Sequence, residues 1–418
     1  MYSRLVEQTW AKKLESPYVH IIFGARQTGK STLLSKLVPN AVIRLDFSDP
    51  GQRSEYLRHP ERLIAECRSL PTKSEPCIVV IDEAQNVPAL FDSVQHLYDS
   101  DKSRWRFILC GSSARKLRLT GANLLPGRAI VHHLYPLTLA ERPFPGLSAS
   151  DAAGRSPLPF PAIQAKASVK ESWWPPVDLV ERMAFGELPG LAIAPPDLRA
   201  DLLRTYCYVY LEEELRREAL VKDWGAFARF LKLAASESGQ LINYAAVSKE
   251  AGVSLPTVKS YYQLLEDMFL GFRVTAFSGS PRKSVLSTER FFFFDLGVRH
   301  AAAELAVNES TVLANPGSVF EQFVGIELWK RLQYLGSGKL HYLRTKGGAE
   351  VDFIIERDLM LTPIEVKWTG NPSLSDARHL MTFLQEHPRQ AAQGYLICRC
   401  GRPQALNDRI TALPYNCF

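Results

Sequence analysis

Residues Gly24 to Ser31, GARQTGKS, have the composition and spacing of a phosphate-binding loop, G-x-x-x-x-G-K-[ST]. Such a loop acts mainly through its backbone. Glycines let the chain wrap an anion, and successive N–H groups and the start of the next helix face the negative charge. Here Gly24, Ala25, Arg26, Gln27, Thr28 and Gly29 would form the cradle, with Thr32 at its helical side. Lys30 would reach the β- and γ-phosphates, and the Ser31 hydroxyl would ligate Mg²⁺. The apolar run VHIIF before the loop and the helical run STLLSKLV after it supply the context that a chance Gly-Lys turn would lack.

A second set follows at IVVIDEAQ, where four apolar residues deliver Asp82 and Glu83 to the carboxyl end of a strand. Asp82 is suited to hold Mg²⁺ and Glu83 to polarise the attacking water; the plain alternative is two carboxylates capping the next helix. After RFILCG, Ser112 or Ser113 is placed either to sense the γ-phosphate or to cap a helix. Arg128, in LLPGR, is either an arginine that stabilises phosphoryl transfer, often from a neighbouring subunit, or a surface ion pair. ATP and Mg²⁺ are the cofactors these residues predict, and an Arg128 acting in trans would require a homo-oligomer.

A third set lies in AEVDFIIERDLMLTPIEVKW, Ala349 to Trp368. Asp352 sits on one apolar run, and Glu365 and Lys367 sit two apart on the next, so the latter pair shares a strand face while Val366 points to the core. Glu350 shares the face of Asp352, and Glu321 comes from the upstream run FEQFVGIELW. Clustered carboxylates with a lysine can hold Mg²⁺ beside a phosphodiester and cut it. The same residues also fit an ordinary hairpin with charged edges.

These sets must be positioned by more than one domain, because 418 residues exceed a single ordinary core. The content of 46% hydrophobic and 22% charged residues describes a globular chain, and a net charge of +6 permits an acidic partner without demanding one. Seven scattered cysteines, with no C-x-x-C, read as reduced thiols. No run resembles a signal peptide or a membrane span, so a cytoplasmic location without membrane contact is the expectation. Residues 1–141 alternate short, continuously apolar strands with helical segments, which predicts an α/β domain with a parallel sheet. Residues 142–176 form a Pro-rich insertion or linker. Over 177–311 helical periodicity leads into a helix-turn-helix around Gly252 and then a hairpin, a winged-helix layout. Lys259 on its second helix, and Arg282 and Lys283 at the wing, are the candidates for DNA phosphates. The aromatic runs Tyr261-Tyr262 and Phe291 to Phe294 read as core. Over 312–418 an amphipathic helix from Val319 to about Leu335 precedes the strand pair and a closing helix–strand unit.

The ordered series GARQTGKST, LDFSDP, IVVIDEAQNVPALF, FILCGSSARKL, LPGR and LYPLTLAE resembles a widespread group of prokaryotic AAA-like ATPases. The likeness runs on through FGELPGL, YLEEEL, FFFFDLG, FEQFVGIELWK and EVDFII…IEVKW, over nearly the whole chain. It implies a P-loop ATPase related to STAND-type signalling ATPases, with a C-terminal α/β domain similar to PD-(D/E)xK restriction-endonuclease folds. The chain departs from that group in its Pro-rich insertion and in YLEEEL, which stands where the group has Tyr-Leu-Glu-Arg-Asp. Two functions follow as expectations. One is an ATP-hydrolysing machine acting on DNA, with a nuclease-like module. The other is a nucleotide-dependent signalling or scaffold switch whose nuclease-like domain only binds.

Overall fold

The structure is a computed structural model, and it describes every residue except 1, 72–74, 113–124, 143, 146–173, 211, 213–220, 222, 279–287, 346–347 and 417–418. Ser113, Arg282 and Lys283 therefore lie outside the described residues, as do the tip of the expected wing and most of the Pro-rich stretch. The chain forms two compact units. One is Val6–Pro136 together with Leu264–Leu270, and the other takes in the remaining described residues.

The first unit is built on five strands: β1 (Val19–Phe23), β2 (Ile43–Asp46), β3 (Cys77–Asp82), β4 (Trp105–Gly111) and β5 (Ala129–His133). Their order is β2-β3-β4-β1-β5, and every pairing is parallel. Parallel neighbours need crossover connections, which helices such as Lys30–Leu37 and Leu90–Ser100 provide. β1 is buried throughout, as a strand covered on both faces must be. Phe23, Ile81, Phe91 and Phe107 belong to one apolar core. Because all strands run the same way, the residues that follow β1, β3 and β4 emerge at one edge of the sheet.

The second unit carries eight further strands: β6 (Gly271–Ala276), β7 (Arg290–Phe293), β8 (Lys339–Arg344), β9 (Glu350–Arg357), β10 (Met360–Val366), β11 (Gly394–Cys398), β12 (Gln404–Asn407) and β13 (Ile410–Pro414). They form one sheet ordered β12-β13-β11-β10-β9-β8-β6-β7. β9 and β10 pair antiparallel, whereas β11 lies parallel to β10 across helix Arg378–Glu386. The β6–β7 hairpin, read from sequence as the wing, joins this sheet because β6 pairs parallel with β8. Residues on either side of position 311 thus share a single sheet.

The helix-turn-helix is present as helices Tyr244–Ala251 and Leu255–Asp267. Gly252 ends the first helix in the left-handed region at φ 71, a conformation that costs glycine little. Val258, Tyr261, Leu264 and Leu265 are buried on the second helix, and Phe291 to Phe294 are buried too. Phe291 meets Phe293 and Tyr262 edge to face, in agreement with a core role.

Helix Pro316–Leu335 departs from expectation. The sequence predicts an amphipathic helix, yet Phe320, Val324, Leu328 and Leu332 are buried along with Gln322, Glu327, Lys330 and Arg331. The helix is enclosed around most of its girth, so its charged residues pair internally. Glu327 meets Lys330 at 3.1 Å and Arg331 at 2.7 Å, and it accepts the Leu139 N–H at 3.1 Å. Lys330 donates to the Leu137 carbonyl at 2.5 Å. The motifs FGELPG and FDLG meet near the same cluster. Arg182 pairs with Glu187 at 2.5 Å, and the Glu187 N–H donates to Asp295 at 2.6 Å. Gly186 has φ +74, and a Cβ there would stand 2.1 Å from an Asp295 oxygen, which leaves room for glycine alone.

Candidate nucleotide site and carboxylate cluster

The phosphate loop turns sharply out of β1 onto helix Lys30–Leu37 through Gln27 at φ 62 and Gly29 at φ 88. A Cβ on Gly24 would lie 2.3 Å from the Leu134 carbonyl oxygen, so the loop's close approach to the chain after β5 requires glycine. Thr28 is buried and ties the loop to itself by donating to the Ala25 carbonyl at 2.9 Å. The Lys30 ammonium is buried too, and donates to the carbonyls of Gly24 at 2.8 Å and Ala25 at 2.9 Å. A buried cation held by loop carbonyls is placed for the oxygens of a phosphate chain. Ser31 and Thr32 are exposed at the helix start, and Arg26 is half-buried.

Asp82 ends β3 and Glu83 follows at φ 50. The Glu83 N–H donates to Asp82 Oδ1 at 2.9 Å. Cys110 on β4 senses both halves of the site: burial pushes its thiol well above its ordinary pKa, Asp82 adds to the rise, and Lys30 opposes it. Asp82 and Lys30 therefore flank one strand end, the arrangement a nucleotide–Mg²⁺ complex requires. Ser112 is buried immediately after β4. Its hydroxyl donates to Glu83 Oε2 at 3.4 Å and accepts from Gln85 Nε2 at 3.1 Å. Gln85 Nε2 also donates to Glu83 Oε2. The sequence alone gives Gln85 no role. Its only signal is its place two residues after Glu83, and the partner that gives it meaning lies on another strand.

Arg128 stands away from the loop. It immediately precedes β5, and Ala129 pairs with Val19, the first residue of β1. Arg128 thus stands at the amino edge of the sheet, while the loop leaves the carboxyl edge about 15 Å away along the strand. Its guanidinium is held by Asp99 at 2.7 Å, which draws the Asp99 carboxyl below its usual range. It does not reach the nucleotide site of its own chain.

In the second unit, the β9–β10 register sets Phe353 opposite Ile364, and its continuation brings Asp352 beside Glu365. Asp352 accepts the Val366 N–H at 2.8 Å, and Lys367 donates to Glu365 Oε1 at 2.7 Å. Val366 packs in the core, as the two-residue period predicts. Glu321 reaches the cluster from helix Pro316–Leu335 and pairs with Arg290 of β7 at 2.8 Å. Arg290 was missed in the sequence, where it reads as the polar start of an apolar strand. It is buried, lies near the rings of Phe292 and Tyr342, and keeps Nη1 without a hydrogen-bond partner among the described residues.

Burial dominates the electrostatics. It pushes Glu321 up to about 7 and Glu365 up to about 8, in each case with Asp352 adding to the rise. Burial raises Asp352 as well, against the pull of Lys367. Burial works against the Lys367 charge, but Glu365 and Asp352 hold its pKa above the ordinary lysine value. Glu365 Oε2 is buried with no hydrogen-bond partner among the described residues. Such an oxygen suits a hard cation, so the donor set fits Mg²⁺. Glu321, Asp352 and Glu365 are neighbours, but they do not bring three ligand atoms within 4.8 Å of one another. Among the described residues, only Asp178, Glu181 and Glu309 bring three ligand atoms within 4.8 Å of one another. Two of those are otherwise engaged, since Asp178 caps its helix and Glu181 pairs with Arg199.

Comparison with known proteins divides the chain in three. Residues 16–142 match the family model of an AAA domain. Residues 177–309 and 316–418 match two domains of unknown function, DUF8612 and DUF4143. An uncharacterized protein of Mycobacterium bovis is 24% identical over 85% of this chain and 72% of its own length. One of Haemophilus influenzae is 24% identical over 82% of this chain and 80% of its own. Among solved structures, a STAND protein with a tetratricopeptide repeat sensor from Pyrococcus horikoshii aligns with 80% of this chain at 13% identity and a TM-score of 0.22. This chain spans about half of that protein, 47% of its length. A Vibrio cholerae protein aligns with 95% of this chain and 94% of its own at 12% identity and a TM-score of 0.19. The parallel sheet, the loop and the matched domain make the N-terminal part an AAA-type P-loop ATPase domain. No helix among the described residues is long and apolar enough to cross a membrane.

Proposed function

We propose that the chain is an ATP-hydrolysing AAA-like ATPase that acts on DNA, with a C-terminal nuclease-like module that binds DNA and cuts it in a Mg²⁺-dependent way. The observation that carries the ATPase half is the Lys30 ammonium buried in its loop beside the strand ends that bear Asp82, Glu83 and Ser112. Lys30 binds the β- and γ-phosphates, and Ser31 and Asp82 would hold Mg²⁺, which when bound neutralises charge on the phosphate oxygens. Glu83 orients the water whose oxygen bonds to the γ-phosphorus as the bond to the bridging oxygen breaks, and it draws the proton away. An arginine at the amino edge of the sheet would serve this chemistry only from a neighbouring copy, so a catalytic role for Arg128 would require a homo-oligomer.

The DNA half is supported by Asp352, Glu365 and Lys367 sharing one cluster with Glu321. Asp352 and Glu365 would hold Mg²⁺, and Lys367 would face the phosphodiester. Lys259, exposed on the second helix of the helix-turn-helix, is available for backbone phosphates. A second reading, a nucleotide-dependent switch with a binding-only module, is favoured by one feature: Arg290 and Lys367 already neutralise Glu321 and Glu365.

The test is an ATPase assay and a cleavage assay on linear, single-stranded and branched DNA with Mg²⁺ or Mn²⁺. Lys30→Ala is expected to lower turnover by about 100-fold or more, and normal hydrolysis by that variant would sink the ATP site. Asp352→Ala and Lys367→Ala are expected to abolish cleavage while hydrolysis survives. If wild-type protein leaves all three DNAs intact with and without ATP, the switch reading replaces the nuclease.

A further inference from the structure

We propose, on the basis of the ATPase reading above, that Gln85 is a positioning residue that joins the water-orienting Glu83 to Ser112 as one unit. A primary amide nitrogen carries two hydrogens. Here both are used, one on Glu83 Oε2 and the other on Ser112 Oγ at 3.1 Å. The Ser112 hydroxyl then has its own hydrogen for Glu83 Oε2, at 3.4 Å, or for a γ-phosphate oxygen. The three side chains close a triangle across two strands, with Glu83 and Gln85 after β3 and Ser112 after β4.

The far side of the amide argues that the triangle is more than packing. Gln85 is buried, and its Oε1 has no hydrogen-bond partner among the described residues. An unsatisfied buried acceptor is destabilising, so a side chain kept for volume alone would be better as a methionine. Turning the amide over would set Oε1 against the Glu83 carboxylate, so the two acceptors choose the orientation. Gly111 completes the arrangement: a Cβ there would stand 2.6 Å from Gln85 Oε1, so glycine leaves the amide its place.

The chemical consequence is cooperation. With Oε2 tethered, Glu83 presents Oε1 to the attacking water in a fixed direction. When a γ-phosphate takes the Ser112 hydrogen, the shared amide passes the change to Glu83. Orientation of the water and detection of the γ-phosphate therefore depend on one another, and each fails without the link.

The experiment uses the full chain with Gln85→Met, Ser112→Ala and the double variant, and Lys30→Ala as a control for the site itself. Steady-state hydrolysis and binding of fluorescent mant-ATP are measured for each. Gln85→Met keeps the volume and removes both donors. It is expected to lower kcat about tenfold or more and to leave mant-ATP affinity within about twofold. The double variant is expected to fall no more than about threefold below the weaker single variant, because both act through the same carboxylate oxygen. Gln85→Leu likewise removes both donors and adds no charge beside Glu83, and serves if the methionine variant does not fold; the same loss is expected. Turnover within twofold of wild type for either variant, or losses that multiply in the double variant, would overturn the proposal while an inactive Lys30→Ala leaves the ATP site standing. A Lys30→Ala protein that hydrolyses normally overturns the underlying ATPase reading instead.

Discussion

At the scale of single residues, the chain buries charge where chemistry or packing can use it, and neutralises it elsewhere. The Lys30 side chain is buried in the loop, where two carbonyls accept from its ammonium. His300 takes the opposite course. It is almost wholly buried, and burial, with Arg299 nearby, lowers its pKa from 6.5 to about 4. A histidine held neutral in the fold takes up a proton more readily once unfolded. Its contribution to stability is therefore complete above pH 6.5 and is lost as pH falls toward 4. A gap of that size corresponds to at most about 3 kcal/mol. His132, lowered by burial to about 3 in the other unit, adds in the same direction. The urea midpoint of the wild type is expected to drop between pH 7 and pH 4.5, and His300→Leu to flatten that slope. An unchanged slope in the variant would show that His300 is not the neutral group described.

At the scale of elements, helix Pro316–Leu335 organises the second unit. Its apolar residues pack among strands of the eight-stranded sheet, and Gly325 admits Phe353 where a Cβ would stand 2.5 Å from the ring. Its ion pairs cannot be judged as surface bridges, because the side chains of Glu327 and Lys330 are each 3% exposed. Deleting one partner of a buried, hydrogen-bonded set costs about 3–5 kcal/mol, mostly through the charge left behind. Lys330→Ala, which also orphans the Leu137 carbonyl, is expected to lower the melting temperature by several degrees or to prevent folding. Lys259→Ala, on an exposed helix face, is expected to change stability by less than about 0.5 kcal/mol. Equal melting temperatures for the two variants would refute the central place of this helix.

At the scale of the whole molecule, three matched segments fold as two units. The reason lies in the sheet. β6 and β7 precede position 311 but hydrogen-bond into the strands that follow it, and Phe272 and Phe292 share the core of Phe320 and Phe353. A chain cut after residue 311 would expose the β6 edge and those rings. It is expected to aggregate or to bind an apolar dye strongly, whereas a compact, soluble product would show that the middle segment is self-sufficient.

Much of the nucleotide site was legible in the sequence because its function is local. The eight consecutive residues Gly24 to Ser31 make a phosphate loop, since backbone N–H groups and one lysine do the binding. Asp82 and Glu83 were legible for the same reason, as the end of one apolar strand. Two-residue periodicity likewise set Glu365 and Lys367 on one face with Val366 inside. What depends on neighbours far apart in the chain was settled only by the tertiary structure. Strand order brought Ser112 to Gln85, strand direction put Arg128 at the far edge, and extension of the second sheet carried Arg290 to Glu321. A one-dimensional pattern records which face a residue occupies, but the partner across a sheet is chosen by strand order and register, which the pattern does not contain.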